Sequence, residues 1–486
     1  MKILFVSPEV VPFAKTGGLA DVAGSLPKAL RNLGEDIRVL MPRYKTVSKK
    51  KYALKTIIKK IEIPIGESLE KVAILEGKIP GSKVTVYFVE NDKYFGSRAE
   101  LYQVEGKDYP DNLERFALFC RAGIEMLKKL NWAPDIVHAN DWQSALMIAY
   151  LKNWFKDDPF FKSTAAVYSV HNLGYLGMFN KEKLPITGLG WDQFIPEKLE
   201  FWGNIALTKA GFVYADVINT VSETYAKEIQ TEAFGFGLDG LLRYRAGDLY
   251  GILNGIDDEV WDPATDPNLV NHYTVLTLDE KMENKLALQD EFDLPEKKRT
   301  PLIALIGRLT VQKGFDILAA TLEQVMKLNC QLVILGNGEP KYHDLLKKMH
   351  KAYPKHIGIK LGFDEALAAR IYSGSDLFLM PSRYEPCGLG QLISFRYGAI
   401  PMVRKTGGLA DTVHEFNSKT GEGDGFVFEG VEPAALLATI KRAIEAYKKP
   451  SVWGKLQEKV MQYDFSWDAS AKQYQALYQK AKAKRA

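Results

Sequence analysis

The sequence predicts an α/β fold with two doubly wound parallel sheets. Short runs rich in β-branched and aromatic residues alternate with longer amphipathic patterns from one end of the chain to the other. This alternation is typical of βαβ units and parallel sheets. A segment rich in Asp, Pro and Gly at 254–268 interrupts the apolar periodicity, and we interpret it as an interdomain connection. Because 486 residues suffice for two or three domains, we expect one sheet on each side of it.

The first series of elements begins at the N-terminus. A helix predicted over about 112–130 places Leu113, Phe116 and Cys120 on one face, which is the pattern of a helix packed against a sheet. Ser222 is a predicted N-cap. The predicted strands are 2–6, 37–40, 84–89, 135–139, 164–171 and 216–221, with a further helix over about 19–33.

The second series begins at 250–255. Its later predicted strands are 301–307, 331–336, 357–362 and 376–382. A closing amphipathic helix carries Trp467, Tyr474, Leu477 and Tyr478 on its apolar side and is expected to pack back on the first domain. The predicted domains are therefore 1–248, with the terminal segment 467–486 added, and 249–466.

Composition and charge exclude several classes of protein. The chain is 46% hydrophobic and 26% charged, with 64 basic and 60 acidic residues, so it predicts no nucleic-acid partner. No run of about 18 apolar residues is present, which argues against a membrane partner. The N-terminal apolar run is too short for a signal peptide. Three widely spaced cysteines are typical of a reducing compartment, and we predict a cytoplasmic location.

One heptapeptide, KTGGLAD, occurs at 15–21 and again at 405–411. Each copy follows a predicted strand, so each Gly-Gly pair should lie in a strand-to-helix turn at the carboxyl edge of its sheet, where ligands bind in such folds. In the first copy, the amides of Gly17 and Gly18 could bind an anion with help from Lys15. For either copy alone, a tight turn is the favoured explanation of the glycines, but the occurrence of two copies weakens that explanation.

Two cations follow the predicted strand 301–307. Arg308 and Lys313 lie in GRLTVQKG, with glycines on both sides. A guanidinium can bind phosphate oxygens in a bidentate manner, and an ammonium adds a compact charge. The pair therefore predicts a diphosphate site at this strand end.

A carboxylate follows the predicted strand 376–382. Glu385 lies in the Pro- and Gly-rich SRYEPCGLGQL, and it could accept hydrogen bonds from sugar hydroxyls beside a phosphate. Cys387 has no basic His nearby in sequence, so we interpret it as a packed thiol and not a nucleophile. His171 and Asn172 end another predicted strand, and structural and functional interpretations of this histidine are about equally supported.

Other cofactor and metal motifs are absent or out of context. The segment GFGLDG at 235–240 follows a helical pattern where a dinucleotide fingerprint needs a strand,. The sequence contains no phosphate-binding G-K-[ST], no Asp-x-Asp and no His-x-x-x-His. We therefore expect no bound cofactor and no catalytic metal, so protein cations and amides should meet the charge of a departing diphosphate.

Motifs spread over essentially the whole chain carry a family resemblance. They are KTGGLADV, GKDYPDN at 106–112, HANDWQ at 138–143, HNLGY at 171–175, NGID at 254–257, GRLTVQKG, PSRYEPCGL and TGGLADTV. The chain resembles bacterial glycogen synthases and plant starch synthases, retaining glucosyltransferases of the GT-B fold. The resemblance implies two Rossmann-like domains facing each other across a cleft, with the acceptor on the first and the nucleotide sugar on the second. ADP-glucose would donate glucose to the 4-hydroxyl at the non-reducing end of an α-1,4-glucan.

The same resemblance implies roles for individual residues. Catalysis is expected from His171, Arg308, Lys313 and Glu385. Lys15, Gly17 and Gly18 would face the nucleotide sugar, and Phe363 would stack on its base. The remaining predicted substrate-binding residues are Asp21, Asp141, Asn172, Cys387, Gly388, Leu389 and Gly390.

Some positions depart from the family pattern. Gly390 replaces a common Thr or Ser, Phe363 replaces Tyr, and Ala369 replaces a frequent His. Asn140 and Gln143 occupy positions that are His in many relatives. These changes leave open the affinity for the donor and the choice between ADP-glucose and UDP-glucose. The sequence also leaves the oligomeric state open.

The expected mechanism needs no enzyme nucleophile. Domain closure would exclude water from the site. The acceptor hydroxyl would attack from the same face of the sugar from which the phosphate leaves, and it would give its proton to the leaving phosphate oxygen. Double displacement through Glu385 is the alternative. A different donor or acceptor, or a weakly active glucan-binding or scaffolding paralogue, also remains open, although a paralogue that only binds glucan has no use for a diphosphate clamp.

Overall fold

The computed structural model describes residues 1–485 and divides the chain into two compact units. Unit 1 comprises Met1–Asn254 and the segment that begins at Trp467, and unit 2 comprises Gly255–Ser466. Both are α/β units, as the alternating sequence pattern predicts. Ala486, the last residue of the predicted terminal segment, lies outside the described residues.

Unit 1 is built on a nine-stranded sheet with smaller sheets attached. Its strands are β1 (Lys2–Val6), β2 (Asp36–Pro42), β3 (Lys55–Ile65), β4 (Ser68–Lys78), β5 (Thr85–Glu90), β6 (Gln103–Val104), β7 (Lys107–Asp108), β8 (Ile136–Asn140), β9 (Ala165–Val170), β10 (Met178–Asn180), β11 (Glu200–Phe201), β12 (Asn204–Ala206), β13 (Val217–Thr220) and β14 (Leu249–Gly251). Its helices are α1 (Gly18–Asn32), α2 (Asn112–Lys129), α3 (Trp142–Asn153), α4 (Leu184–Thr187), α5 (Leu207–Tyr214), α6 (Glu223–Glu228) and α7 (Asp239–Tyr244).

The strand order of the large sheet places a crevice beside β1. The order is β14-β13-β9-β8-β1-β2-β5-β4-β3, and β1 pairs in parallel with both β2 and β8. The chain direction across the sheet reverses between β1 and β8, which makes their carboxyl ends the topological switch point where ligands bind in such sheets.

The parallel sheet of unit 1 also has an antiparallel edge, which the sequence did not predict. β4 pairs antiparallel with both β3 and β5, so a hairpin forms the edge of the sheet. β3 carries Lys55, Lys59, Lys60 and Glu62, and its only buried residues are Ile61, Ile63 and Ile65 near its end. This weak apolar signal explains why periodicity did not reveal the hairpin, since an edge strand buries only part of one face.

Unit 2 contains a six-stranded, wholly parallel sheet. Its strands are β15 (Leu302–Ile306), β16 (Gln331–Gly336), β17 (Ile357–Leu361), β18 (Leu377–Met380), β19 (Ile400–Arg404) and β20 (Phe426–Phe428). Its helices are α8 (Lys281–Glu291), α9 (Phe315–Val325), α10 (Pro340–Ala352), α11 (Glu365–Gly374), α12 (Gly390–Arg396), α13 (Gly407–Thr412), α14 (Pro433–Tyr447) and α15 (Pro450–Met461). The order β17-β16-β15-β18-β19-β20 is the Rossmann order, with its switch point between β15 and β18.

Two predicted boundaries need correction. The run at 250–255 does not open the second sheet, because β14 pairs in parallel with β13 and so closes the first. Unit 1 therefore extends to residue 254 instead of 248. The segment 254–268 is also more than a connection, since Ile256 and Trp261 belong to a hydrophobic cluster of unit 2.

The closing helix, α16 (Trp467–Arg485), packs on unit 1. Tyr474 and Tyr478 are fully buried in it. Tyr474 Oη accepts a hydrogen bond of 3.0 Å from Asn219 Nδ2 in β13, so the helix covers the sheet with a polar contact as well as apolar area. Ser222 also caps α6 as predicted, because its Oγ accepts from the Tyr225 amide at 3.1 Å,.

Candidate active site

The switch point of unit 2 brings three predicted residues to one corner. Arg308 and Lys313 follow β15, and Glu385 follows β18. These strands are neighbours, with Ile303 opposite Leu377 and Ala304 opposite Phe378. The sequence predicted that each residue lies at a strand end, and the pairing of β15 with β18 makes the two loops adjacent.

Lys313 and Glu385 form an ion pair in this corner. Lys313 Nζ donates to Glu385 Oε2 at 2.5 Å, and Ser382 Oγ donates to the same oxygen at 2.9 Å. The Glu385 side chain is 8% exposed and the Lys313 side chain 25%. Arg308 is held differently, through a 3.0 Å hydrogen bond from its Nη2 to Gln312 Oε1. The charge-assisted bond from Lys313 holds the Glu385 carboxylate in place.

The two loops touch where Gly314, at the end of the loop after β15, meets Pro381 of the loop after β18. The φ of Gly314 is +70°, and a Cβ built on it would lie 1.8 Å from the Pro381 carbonyl oxygen. Only glycine satisfies both conditions. The contact is reinforced by the Arg383 amide, which donates to the Gln312 carbonyl at 2.9 Å, and by an ion pair between Arg383 and Asp316 at 2.5 Å.

The second KTGGLAD copy packs under the Glu385 loop. A Cβ on Gly407 would lie 2.0 Å from the Glu385 carbonyl oxygen, and one on Gly408 would lie 2.1 Å from that of Cys387. The Gly408 amide donates to the Glu385 carbonyl at 3.2 Å. The Gly-Gly pair lies at a strand-to-helix turn as predicted, where it allows close approach of the backbone that carries Glu385.

The remaining predicted residues of unit 2 lie around this corner and after β17, the edge strand of the sheet. Cys387 is a buried thiol, and Gly388 has a φ of +76°. Leu389 is the N-cap of α12, and Gly390 is the first residue of that helix. A Cβ on Gly390 would lie 2.8 Å from the Phe378 ring, so a hydroxyl residue does not fit there without repacking. Phe363 follows β17 and is 80% exposed.

In unit 1, the switch point carries the first KTGGLAD copy. The carboxylate of Glu9 accepts hydrogen bonds from the Thr16 amide, the Thr16 hydroxyl and the Gly17 amide, the last at 3.2 Å. Tyr102 Oη donates to Glu9 Oε1 at 2.7 Å. The sequence predicted an anion at these amides, and the anionic group that the structure places there is this glutamate. Sequence reasoning missed Glu9, although its position just after β1 was the available signal.

Lys15 pairs with Asp21 across the first turn of α1. Its Nζ lies 2.7 Å from Asp21 Oδ1, and the two side chains are 36% and 32% exposed. The helix begins at Gly18, with Gly17 as its N-cap. A Cβ on Gly17 would meet nothing within 4 Å. The two copies of the heptapeptide therefore lie in different surroundings: close backbone contacts require glycine at 407 and 408, whereas a side chain at 17 would meet no steric obstacle.

Asp141 follows β8 in an unusual conformation. Its φ is +55°, and its Oδ1 accepts the His171 amide at 2.7 Å. Desolvation raises the pKa of Asp141 to about 7, partly offset by that backbone hydrogen bond,. A non-glycine residue in the left-handed region is uncommon outside functional sites and turns. The carboxylate thereby joins the ends of β8 and β9.

The hydrogen bonds of His171 define its tautomer. Asn140 Nδ2 donates to the Val6 carbonyl at 3.0 Å, so its Oδ1 faces His171 Nε2, 2.9 Å away. The Nε2 atom must therefore carry the proton, which leaves Nδ1 as an acceptor. Desolvation lowers the pKa of His171 to about 3, so the ring is neutral at physiological pH. Asn172 is fixed beside it by the Gly174 amide, which donates to its Oδ1 at 2.9 Å.

A second buried histidine links this region to the C-terminal helix. His138 Nε2 lies 2.7 Å from Ser169 Oγ, and Nδ1 lies 2.9 Å from Tyr478 Oη. Desolvation lowers the pKa of His138 to about 3. Its partners come from the sheet and from α16, so its role is to hold the core.

No helix within residues 1–485 is long and apolar enough to cross a membrane. No group of three or more His, Cys, Asp or Glu side chains in that range is arranged to hold a metal ion.

Comparison with known proteins identifies the family. The starch synthase catalytic domain model matches residues 2–244, and the model of group 1 glycosyl transferases matches residues 288–460. A glycogen synthase from Moorella thermoacetica is 48% identical over 100% of this chain and 98% of its own length. The chain belongs to the glycogen synthase family. It is therefore a hexosyltransferase, and its two Rossmann-like units are those of the GT-B fold.

Further relatives of this glycogen synthase family member agree. A glycogen synthase from Thermotoga maritima is 46% identical over 100% of this chain and 99% of its own length. The catalytic domain of starch synthase IV from Arabidopsis thaliana, solved with ADP and acarbose bound, superposes with a TM-score of 0.91 at 33% identity, covering 99% of each chain. The family resemblance stated from sequence motifs is confirmed.

Proposed function

We propose that this chain transfers glucose from ADP-glucose to the 4-hydroxyl at the non-reducing end of an α-1,4-glucan, with retention of configuration. The observation that carries the proposal is the corner at the switch point of unit 2, where Lys313 pairs with Glu385 and Arg308 bonds to Gln312 in the same loop as Lys313. Two cations beside one buried carboxylate suit a ligand with a diphosphate at one end and a sugar at the other. The starch synthase IV structure, which contains ADP and acarbose, supports the choice of an adenine donor and a glucan-like acceptor.

Lys313 and Arg308 are proposed to neutralise the departing diphosphate. Cleavage of the bond between the sugar C1 and the phosphate oxygen builds negative charge on the phosphate, so fixed cations stabilise the transition state more than the ground state. An ammonium has three donors. Lys313 can therefore keep its bond to Glu385 Oε2 and still donate to a phosphate oxygen.

Glu385 is proposed to orient the sugar. Its Oε2 accepts from Lys313 and Ser382, which leaves Oε1 to accept from a glucose hydroxyl. A carboxylate engaged in this way is poorly suited to act as a nucleophile. We therefore propose attack of the acceptor oxygen on C1 from the face that the phosphate leaves, with the acceptor proton passing to the leaving phosphate oxygen.

Residues of unit 1 are proposed to bind the acceptor and the glucosyl group. Neutral His171 offers Nδ1 as an acceptor for a sugar hydroxyl. Asp141 accepts the His171 amide, and Asn172 follows His171 in the chain. Lys15, Asp21 and the amides of Gly17 and Gly18 are proposed to face the nucleotide sugar, as in the family. In unit 2, the exposed ring of Phe363 is proposed to stack on the base, and the segment 387–390 to line the donor site.

A cytoplasmic location is also proposed. Its support is the state of the cysteines, because Cys120, Cys330 and Cys387 are all buried thiols, which is usual in reducing compartments.

The test is transfer from labelled ADP-glucose or UDP-glucose to a maltooligosaccharide, with the new linkage assigned by NMR. We expect α-1,4 elongation and faster turnover with ADP-glucose. Elongation with inversion, or no transfer from either donor, would refute the proposal. Mass spectrometry of enzyme quenched during turnover adds a second test, since a glucosyl adduct on Glu385 would establish double displacement instead.

A further inference from the structure

An exposed tryptophan occupies the tip of a hairpin in unit 1. β11 and β12 pair antiparallel, with Phe201 opposite Asn204, so the turn consists of Trp202 and Gly203 alone. Their φ angles are +50° and +75°. Two left-handed residues are characteristic of the tightest hairpin turns, which favour Asn, Asp and Gly at these positions. A bulky aromatic residue in this region is an outlier that the turn itself does not require.

The Trp202 ring is supported from one side and open on the other. It stacks on the Phe201 ring, with centroids 4.6 Å apart and an interplanar angle of 19°. The residue is nevertheless 75% exposed. Gly237 admits the pair, because a Cβ there would lie 2.9 Å from the Trp202 ring and 3.0 Å from the Phe201 ring. The result is a flat aromatic surface, backed by packing and presented to solvent.

A second strained aromatic residue adjoins this surface. Phe236, next to Gly237 in the chain, has φ +49° and is 38% exposed. Over residues 1–485, seven non-glycine residues have positive φ, and Trp202 and Phe236 are the only aromatic ones. Strain that persists in sparsely populated backbone conformations clusters at binding and catalytic sites. Its occurrence twice at one place, each time on an exposed ring, points to a ligand.

We propose that Trp202, stacked on Phe201, is a platform for an internal glucose unit of the glucan acceptor. The electron-rich face of an indole attracts the C–H face of a pyranose ring. At the rim, Glu200 and Asn204 retain oxygens that can accept from sugar hydroxyls, although Glu200 Oε1 already accepts the Gly203 amide at 2.7 Å,. A flat platform with a polar rim suits a neutral polymer lying across it. This inference rests on the proposed function and assigns a further contact for its acceptor.

The test compares Trp202→Asn with Trp202→Tyr and a matched control. Asn favours the left-handed turn and removes the ring, and Tyr retains a flat ring. Trp191→Asn is the control, since Trp191 is 56% exposed in the same unit but meets Phe194 edge-on, at an interplanar angle of 82°. The readouts are KM for glycogen, KM for maltotriose, kcat, and the thermal unfolding midpoint.

We expect Trp202→Asn to raise KM for glycogen by about threefold to tenfold, the range of one aromatic stacking contact. KM for maltotriose and kcat should stay unchanged, and the unfolding midpoint should stay the same or rise, because Asn relieves the strain. Trp202→Tyr should retain most of the affinity, and Trp191→Asn should match the wild type. Unchanged glycogen KM in Trp202→Asn, or an equal rise for both acceptors, would overturn the inference.

A binding measurement separates this inference from the proposed reaction. In native gels containing glycogen, the wild type should be retarded and Trp202→Asn less so, whether or not turnover occurs. If the wild type failed to elongate any acceptor, the proposed function would be refuted, but the comparison of gel retardation between the wild type and Trp202→Asn would still hold. If Trp202→Asn changed the oligomeric state and not the retardation, the surface would be a contact between copies of the chain, contrary to the inference.

Discussion

Lys313 Nζ lies 2.5 Å from Glu385 Oε2, and this contact joins the loops after β15 and β18 at the switch point of unit 2. The pair brings two residues that are 72 positions apart in the chain into one corner of unit 2. Since Glu385 is almost wholly buried, its charge depends on Lys313 and Ser382 for compensation.

Replacement of Lys313 by alanine should reduce kcat by about 10²–10³-fold, because a fixed charge opposite the departing diphosphate is lost. Glu385 would also lose its cationic partner, so a modest fall in thermal stability should accompany the loss. Steady-state kinetics with ADP-glucose measures the effect. Lys347→Ala, on the exposed side of α10, is the control and should behave as the wild type. A Lys313→Ala enzyme with unchanged kcat would remove this residue from the proposed mechanism.

Gly314→Ala should destabilise unit 2 by roughly 2–4 kcal/mol and lower activity. The new methyl group would collide with the Pro381 carbonyl, and the left-handed backbone adds strain,. Denaturant unfolding and turnover measure the two effects. Gly454→Ala is the control, because a Cβ there meets nothing within 4 Å and alanine favours the interior of α15. Equal stabilities of the two variants would contradict the close approach of the loops.

Asp141→Asn should change how stability depends on pH. The folded-state pKa of about 7 lies above the usual value of 3.8, so the folded protein binds more protons between these pH values, and this contribution is lost as pH rises toward 7. Relative to wild type, the variant should therefore be more stable at pH 8 than at pH 5. Asparagine keeps the size and shape of the side chain at this backbone position, so the substitution chiefly removes the titratable group.

Urea midpoints at pH 5 and pH 8 measure this difference. His138 and His171 have lowered pKa values of about 3, so their contribution has the opposite sign: stability is lost as pH falls from about 6.5 toward 3. Both histidines remain in the variant, and comparison with wild type isolates Asp141. Asp157→Asn, at an exposed position of unit 1, should show no such difference. The same shift at both pH values for Asp141→Asn would argue against a raised pKa.

Tyr478→Ala should destabilise unit 1 by roughly 3–5 kcal/mol, the usual result of removing a buried aromatic side chain. It also leaves His138 Nδ1 without the Tyr478 hydroxyl. Tyr478→Phe removes only the hydroxyl and should lose about 1–2 kcal/mol. Tyr244→Ala is the control, since Tyr244 is 86% exposed in the same unit and should stay within about 0.5 kcal/mol of wild type. If Tyr478→Ala unfolded at the wild-type midpoint, α16 would not contribute to the core.

The sequence by itself determined the fold class and most of the candidate residues. Alternation of strand and helix patterns reports which side chains are buried locally, and residues such as Arg308, Glu385 and His171 could be placed at strand ends without knowledge of strand order. The motif pattern also determined the family, because it extends over both units.

Only the tertiary structure decided which strand ends are neighbours. Strand order depends on packing between segments far apart in the chain, which local periodicity does not encode. The order of the strands therefore determined three features: the Lys313–Glu385 pair, the place of β14 in the first sheet, and the antiparallel edge formed by β3 and β4. The tertiary structure also showed that the Glu9 carboxylate accepts the Gly17 amide and that Gly407 and Gly408 pack against the Glu385 loop. Both contacts depend on backbone segments that follow different strands and are brought together by the fold.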